Sequence, residues 1–254
     1  ATHHRIAADV NGEITYVDSD ALAVDLVGVT SGVNSAGNPV SLTTGGVLAV
    51  NRPITAAGNT VTLGAAAITD GNGATVNVTA TSLNAIGDGG INLDTAIDFL
   101  TAASDDSAIN IDETNGLAVN TVTAGTGTVT LNLAAGALTD NNGGTTNITA
   151  TGLVTLTAPG GIDLDTDIAQ LTALATNNAI DIDEVNGLLL NTVNAGNAPV
   201  TIDVAAGQIL DNNGGDLNIT ASGLALTAAA GIATSGDPLE TQVSNLEADA
   251  GSGG

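Results

Sequence analysis

The chain has 254 residues, with 27 acidic residues against two arginines and no lysine, which gives a formal net charge of −25. Such a charge repels nucleic-acid backbones and anionic lipid surfaces, so nucleic acid is excluded as a natural partner. No apolar run approaches the ~18 residues of a membrane span, and membrane insertion is not expected. Cysteine, methionine and tryptophan are absent, so disulfides and thiolate metal sites are ruled out and the core must be aliphatic.

The sequence repeats itself at a fixed spacing. The stretch AINIDETNGLAVNTV, which begins at Ala108, returns as AIDIDEVNGLLLNTV at Ala179. Repetition with a period of tens of residues, here ~71 residues, is typical of solenoids. We therefore expect residues 1–254 to form a single β-solenoid domain, a segment or processed unit of a repetitive protein. Its internal repeats span 19–88, 89–159 and 160–230, with a partial copy at 231–254.

Short segments in which apolar residues alternate with Asp, Asn or Thr recur inside each repeat. They read INLD at 91, INID at 109, VTLN at 129 and TNIT at 146, then IDLD at 162, IDID at 180, VTID at 200 and LNIT at 217. This alternation predicts strands with one buried and one exposed face. The pattern predicts an all-β protein, a right-handed parallel β-helix of about 14 coils with ~18 residues per coil and four coils per ~71-residue repeat.

One segment of each repeat carries apolar residues at helical spacing. In SGDPLETQVSNLEAD, Asp237 stands where an N-cap belongs and Pro238 stands at the first helical position. The apolar residues at this spacing are Leu239, Val243 and Leu246, and in the earlier repeats Ile168, Leu171 and Leu174, or Ile97 and Leu100. We expect one short helix per repeat, packed against the rod. A distorted strand is the alternative.

Outward aspartates are predicted to stack from coil to coil in the repeat that begins at Gly160. The candidate metal ligands are Asp163, Asp165, Asp181, Asp183 and Asp203, with Glu184 beside them. Neighbouring coils bring like charges to ~5 Å, where they repel. Such a column could recruit Ca²⁺, which accepts several carboxylate oxygens in flexible geometry. The alternative is a solvated acidic face with ordinary counterions, and no cofactor is required.

Three N-x-T sequons occur at Asn77, Asn147 and Asn218, all on predicted outward faces. They are candidate glycosylation sites. Ordinary hydrogen-bonding surface residues are the alternative. Just before each sequon lies a turn sequence, ITDGNGA at 68–74, LTDNNGG at 138–144 and ILDNNGG at 209–215. These sequences lack the lysine of a phosphate-binding loop and are interpreted as Asn/Gly turns.

The Asn/Thr-rich coils, the turn in IDEVNGLLL and the stretch GIATSGDPLETQVSNLEAD resemble the β-strand-repeat bacterial exoproteins related to filamentous haemagglutinin and other large surface adhesins. The resemblance covers nearly all of the chain from about Gly45 onward. It implies export to the cell surface, a parallel β-helix and a role as stalk, filament or adhesin. It transfers no catalytic residues.

We therefore expect a structural extracellular rod, either a filament subunit or the stalk of a surface adhesin. Its partners would be copies of itself stacked head to tail, or further coils of the same protein. The alternative is a Ca²⁺- or glycan-binding adhesive module of a larger exoprotein. An ice-binding solenoid and a polysaccharide-acting enzyme are minor alternatives, because Thr-x-Thr pairs are intermittent and residues suited to sugar binding are scarce. Enzymatic activity is not expected.

Overall fold

The computed structural model describes residues 4–251 and shows a parallel β-solenoid of about 12 turns. Of the 26 strands in this range, 24 join in one continuous sheet in which every strand pairing is parallel. No α-helix occurs between residues 4 and 251. The all-β parallel solenoid predicted from the alternating pattern is confirmed. Residues 1–3 and 252–254, at the ends of the predicted domain, lie outside the described residues.

The strands before residue 60 are mostly short. They are β1 (His4–Ile6), β2 (Ala8–Asp9), β3 (Ile14–Asp18), β4 (Leu22–Val24), β5 (Leu26–Val27), β6 (Thr30–Ser31), β7 (Val33–Asn34), β8 (Val40–Thr44), β9 (Val47–Val50) and β10 (Ile54–Ala65). β5 and β6 form a separate antiparallel hairpin.

The remaining strands follow the sequence repeats. The first eight are β11 (Ala67–Asp70), β12 (Val78–Gly87), β13 (Ile91–Ala96), β14 (Phe99–Ala103), β15 (Ile109–Glu113), β16 (Leu117–Gly125), β17 (Val129–Leu133) and β18 (Leu138–Asp140). The last eight are β19 (Ile148–Thr157), β20 (Ile162–Leu174), β21 (Ile180–Glu184), β22 (Leu188–Asn194), β23 (Val200–Val204), β24 (Ile209–Asp211), β25 (Ile219–Ala228) and β26 (Thr241–Asp249).

The coils are longer and fewer than the 14 coils and 18 residues per coil that the pattern predicts. From Ile162, successive in-register partners lie at positions 180, 200, 224 and 246, so only the first step is as short as the predicted one. The segments TNIT and LNIT do not begin coils of their own. Ile148 pairs with Val122, and Ile219 pairs with Val193, so each segment occupies another face of a coil that already contains an alternating strand.

One sequence repeat makes about three and a half coils instead of the predicted four. Strands β9 and β22 carry equivalent sequences two repeats apart, and seven coil-to-coil steps join them. The steps run from Leu48 through Ile68, Ile91, Ile109, Val129, Val154 and Leu171 to Leu190. β16, the copy between them, lies on a different ladder, with β14 and β18. Equivalent residues of consecutive repeats therefore lie about half a turn apart.

The prediction of one helix per repeat is wrong. Residues 241–249 form β26, and the segments with Ile168 and Leu100 belong to β20 and β14. In β20 the buried positions step by two up to Ile168 and then by three to Leu171, where the register with β19 shifts. A strand that turns a corner this way takes one extra residue. That extra residue produces the three-residue spacing between Ile168 and Leu171, which resembles the spacing of apolar residues on a helix and led to the helix prediction.

The interior of the solenoid is a stack of Ile, Leu, Val and Ala side chains. In β21, Ile180 and Ile182 are buried while Asp181 and Asp183 face outward, as the alternation predicts. Ile182 lies in register between Leu164 and Ile202, which are also buried. Burial of this continuous aliphatic column is the main favourable contribution to folding.

Replacing Ile182 by Ala should lower the free energy of unfolding by about 2–4 kcal/mol, because it leaves a cavity in this column. The exposed neighbour provides a matched control, and Asp181→Ala should change stability by only about 0.5 kcal/mol. Denaturant unfolding followed by circular dichroism measures both. Equal losses in the two variants would contradict the inward and outward assignments.

Candidate functional site

Five of the six predicted metal ligands form an outward ladder along β20, β21 and β23. Asp163 is in register with Asp181, and Asp165 with Asp183, which in turn is in register with Asp203. Four of these side chains are exposed and Asp165 is half-buried. Strands in a sheet lie ~4.8 Å apart. The register therefore brings the five aspartates together as the alternation predicts.

Electrostatic repulsion within the ladder affects its protonation. Partial burial, followed by the neighbouring carboxylates, raises the pKa of Asp165, Asp181 and Asp183 above the usual value for aspartate. Among the neighbouring carboxylates, Asp183 contributes most to the raised pKa of both Asp165 and Asp181, and Asp203 contributes most to that of Asp183. Residues 53–254 include no arginine or lysine, so no such side chain from this part of the chain neutralises the ladder.

A shallow groove of about 290 Å³ lies along the ladder. Its lining residues are Gly144, Thr146, Asp165, Asp183, Glu184, Val185, Asp203 and Ala205. The aspartates do not converge into a cage. Within residues 4–251, only His4, Asp18 and Asp20 form a group of three His, Asp or Glu side chains whose ligand atoms lie within 4.8 Å of one another. The ladder is thus an extended negative surface that concentrates cations along several coils.

The corresponding ladder of the preceding repeat is largely amide. Asn110 Nδ2 donates to Asn92 Oδ1 at 3.3 Å, and Asn132 Nδ2 donates to Asp112 Oδ1 at 2.7 Å. Aspartate occupies two of its six in-register positions, against five of six in the later ladder. The amides relieve repulsion by donating hydrogen bonds between coils. The concentrated acidic ladder therefore belongs to the repeat beginning at Gly160.

Glu184 borders the groove, but its side chain does not point outward with the aspartates, and that part of the prediction is wrong. The alternation in β21 turns Glu184 inward, where it is 1% exposed. Its carboxylate accepts hydrogen bonds from Thr166 Oγ1 at 2.7 Å, from the Ile168 N–H at 3.1 Å and from the Asn186 N–H at 2.9 Å. It thereby satisfies one backbone donor of the preceding coil, where that coil turns a corner, and one donor of the turn that follows β21.

The buried glutamate recurs in the repeat before. Glu113 accepts from Thr95 Oγ1 at 2.7 Å, and from the N–H groups of Ile97 at 3.0 Å and Asn115 at 3.1 Å. Burial raises the pKa of both glutamates, that of Glu184 to about 7, because desolvation of the carboxylate outweighs the hydrogen bonds it accepts.

The three sequon asparagines are also inside the solenoid, so their predicted outward orientation is wrong. Asn77, Asn147 and Asn218 are each at most 1% exposed. Asn147 Nδ2 donates to the Val119 carbonyl at 2.9 Å and to Asp140 Oδ1 at 2.7 Å, and its Oδ1 accepts from the Asp165 N–H at 2.8 Å. One amide thus joins consecutive coils, and its nitrogen is enclosed in the fold rather than available to a glycan.

An aspartate at a fixed position before each of these asparagines holds it in place. Asp70, Asp140 and Asp211 accept from the asparagine Nδ2 at 2.9, 2.7 and 2.6 Å. Each also accepts from the backbone N–H two residues further on, at 2.8, 2.7 and 2.9 Å. The constant D-x-N-x₄-N spacing carried the signal for this arrangement. The turns and the sequons that this spacing joins were predicted as separate features.

The N-terminal strand carries a polar cluster that the sequence analysis did not identify. His4 Nδ1 lies 2.8 Å from Asp18 Oδ2, which joins β1 to the end of β3. Asp18 also accepts from the Asp20 N–H at 3.0 Å. This backbone donor, more than His4, lowers the pKa of Asp18. The contact spans two strands, so strand register was needed to find it.

Comparison of the chain with protein-family models, curated proteins and solved structures found no match. Among the described residues, none lies in a helix long and apolar enough to cross a membrane.

Two variants that both destroy the second sequon separate its structural from its covalent role. Asn147→Ala should lower the free energy of unfolding by about 2–4 kcal/mol, because three hydrogen-bonded groups lose their partner. Thr149→Ala, at an exposed position, should be nearly neutral. Denaturant unfolding measures both, and a neutral Asn147→Ala would contradict the role of this amide between coils.

The buried glutamate should make the rod more stable in mild acid. A carboxyl whose pKa is higher in the folded protein than in the unfolded chain binds its proton more tightly when folded. Its stabilisation is therefore complete below the unfolded pKa of about 4.5 and is lost as the pH rises through about 7. For Glu184 this difference amounts to about 3 kcal/mol.

The measurement is the midpoint of urea unfolding at pH 5 and pH 8. The wild type should unfold at lower urea concentration at pH 8, and Glu184→Gln should reduce the difference. Glu247→Gln, which changes an exposed glutamate, serves as the control. An unchanged pH difference in Glu184→Gln would exclude Glu184 as its source.

Proposed function

We propose that this chain is a structural extracellular rod, a filament subunit or the stalk of a cell-surface adhesin. The single observation that carries the proposal is a continuous parallel ladder that ends in an open strand edge. The resemblance to filamentous haemagglutinin-like exoproteins supports the same role. We expect its coils to be right-handed, because parallel crossovers generally are. The function then lies in length, stiffness and surface, without catalysis.

Strand β26 carries this open edge. It pairs with β25 from Thr241 to Asp249, and no other strand of residues 4–251 pairs with it. Leu246 continues the inward column of Leu224 yet is 59% exposed. An unpaired edge with apolar side chains is a surface to which another strand can add. Further coils of the same protein, or a second copy, would complete it.

The first coil offers a second strand edge. Within residues 4–251, β1, β2 and β3 each pair on one side only, with β4, β7 and β8. Residues 1–52 carry both arginines, Arg5 and Arg52, and five acidic residues, a formal charge of −3, whereas residues 53–254 hold 22 acidic residues and no arginine or lysine. Repulsion is therefore weaker in head-to-tail association than in contact between two strongly acidic ends.

Calcium bridging along the aspartate ladder is a second candidate function. The in-register aspartates and their raised pKa values indicate carboxylates whose mutual repulsion a divalent cation would relieve. In this proposal Ca²⁺ links the flanks of neighbouring rods.

Electron microscopy of the purified chain tests the structural proposal. The wild type should form end-to-end strings, and Leu246→Asp should leave single rods, because it places a charge on the open edge. Leu174→Asp introduces the same charge at a 42% exposed leucine within β20 and should still form strings. Single rods in the wild type, or strings that persist in Leu246→Asp, would overturn assembly through β26.

The calcium proposal has a separate readout in the same preparations. Lateral bundling of rods should require Ca²⁺ and should be lost when Asp165, Asp183 and Asp203 are replaced by Asn together. Bundling that this triple variant retains would exclude the ladder as the bridging surface.

A further inference from the structure

The third D-x-N-x₄-N loop, at residues 211–218, differs from the second, at residues 140–147, in the hydrogen bonding of its aspartate. In the second loop, Asp140 Oδ2 accepts from the Gly143 N–H at 2.9 Å. In the third loop, the Gly214 N–H still lies close enough to the Asp211 carboxylate to help lower its pKa, but the equivalent oxygen, Asp211 Oδ2, is buried and completes no hydrogen bond. Asp211 as a whole is only 7% exposed. A buried carboxylate oxygen without a donor is costly unless another group completes it.

Two more unpartnered oxygens belong to the same region. Among the described residues, four buried side-chain nitrogen or oxygen atoms lack a partner: Asp211 Oδ2, Asn213 Oδ1, Glu240 Oε2 and Asn142 Oδ1. Asn142 is the equivalent of Asn213 in the second loop, so the two carboxylate oxygens, of Asp211 and Glu240, are the ones particular to the third. The Asn218 amide links Asp211 to the backbone of Glu240, since its Nδ2 donates to Asp211 Oδ1 at 2.6 Å and its Oδ1 accepts from the Glu240 N–H at 2.9 Å. The three atoms of this region are all acceptors, so the missing partner is a donor or a cation.

An extra turn found after the third loop supplies another carboxylate. Ile219 pairs with Thr241, whereas the equivalent Ile148 pairs with Thr166, so the connection after the third loop is longer by four positions. This longer connection contains a tight turn closed by reciprocal backbone hydrogen bonds between Thr234 and Asp237. It places the exposed Asp237 side chain close enough to Asp211 to influence the pKa of that carboxyl.

We propose that this loop binds one calcium ion through Asp211, Asn213, Asp237 and Glu240. Ca²⁺ accepts six to eight oxygen ligands in flexible geometry and suits a mixture of carboxylate and amide oxygens. The three carboxylates do not yet lie within 4.8 Å of one another as a group, so Asp237 and Glu240 must close on the ion. Because Glu240 directly precedes β26, the ion ties this strand to the loop of the preceding coil.

Hydrogen exchange measured by mass spectrometry on the full chain, titrated with CaCl₂, tests this proposal. Calcium should slow exchange in residues 241–249, and Asp237→Asn should raise the half-maximal concentration at least tenfold. Asp237 is exposed, so its replacement leaves the core intact. Asp249→Asn removes the same charge from β26 itself and should respond like the wild type, as should the triple Asn variant of the aspartate ladder.

Three outcomes would overturn the site. They are unchanged exchange in β26 on adding CaCl₂ to the wild type, an undiminished response in Asp237→Asn, and an equal response to MgCl₂, which indicates general screening of charge. Protection that appears on acidification instead of on calcium addition would assign the Asp211 and Asp237 pair to a shared proton, and would also overturn it. Electron microscopy of the same samples reports end-to-end assembly separately.

Discussion

The in-register parallel ladder between successive coils is the constraint on which the rest of the structure depends. It places each inward residue over an inward residue, as in the stack of Leu164, Ile182 and Ile202. The same register places outward residues over one another, so aspartates at corresponding positions repel across the ~4.8 Å between strands. The in-register pairing that stacks the aliphatic core therefore also creates the acidic ladder on the surface.

Backbone groups at the corners require a different solution, because the regular ladder is interrupted there. Buried polar side chains supply the missing partners. Glu113 and Glu184 accept from N–H groups of the preceding coil, while Asn147 both donates and accepts between coils. A buried carboxylate in this role is sensitive to pH, whereas a buried amide is not. The solenoid thus contains two kinds of polar link that respond differently to the same solution conditions.

Alternation was sufficient to predict the strands, their inward faces and the parallel solenoid. Ile180, Asp181, Ile182 and Asp183 lie on the sides that their order predicts. The corners could not be predicted, because an extra residue between Ile168 and Leu171 mimics helical spacing. The predicted number of coils was too high for a related reason. The segment around Ile148 has the pattern of a strand, but it lies in a coil that already contains another alternating strand.

The site residues were predictable only where they follow simple alternation. The outward aspartates do so, but Asn77, Asn147 and Asn218 do not, because a polar side chain next to a strand is ordinarily solvent-facing. Their burial depends on acceptors supplied by the loop aspartate and by another coil. Such partners become neighbours only once the coils are stacked.

Because one repeat makes about three and a half coils, equivalent surface residues of consecutive repeats lie on opposite flanks of the rod. A residue that occurs once in every repeat returns to the same flank only after two repeats, or about seven coils. Loss or gain of a single unit would therefore rotate everything beyond it to the opposite flank, while a change by two units would alter length alone. In a rod of this kind, the parity of the repeat number determines which way the far end faces.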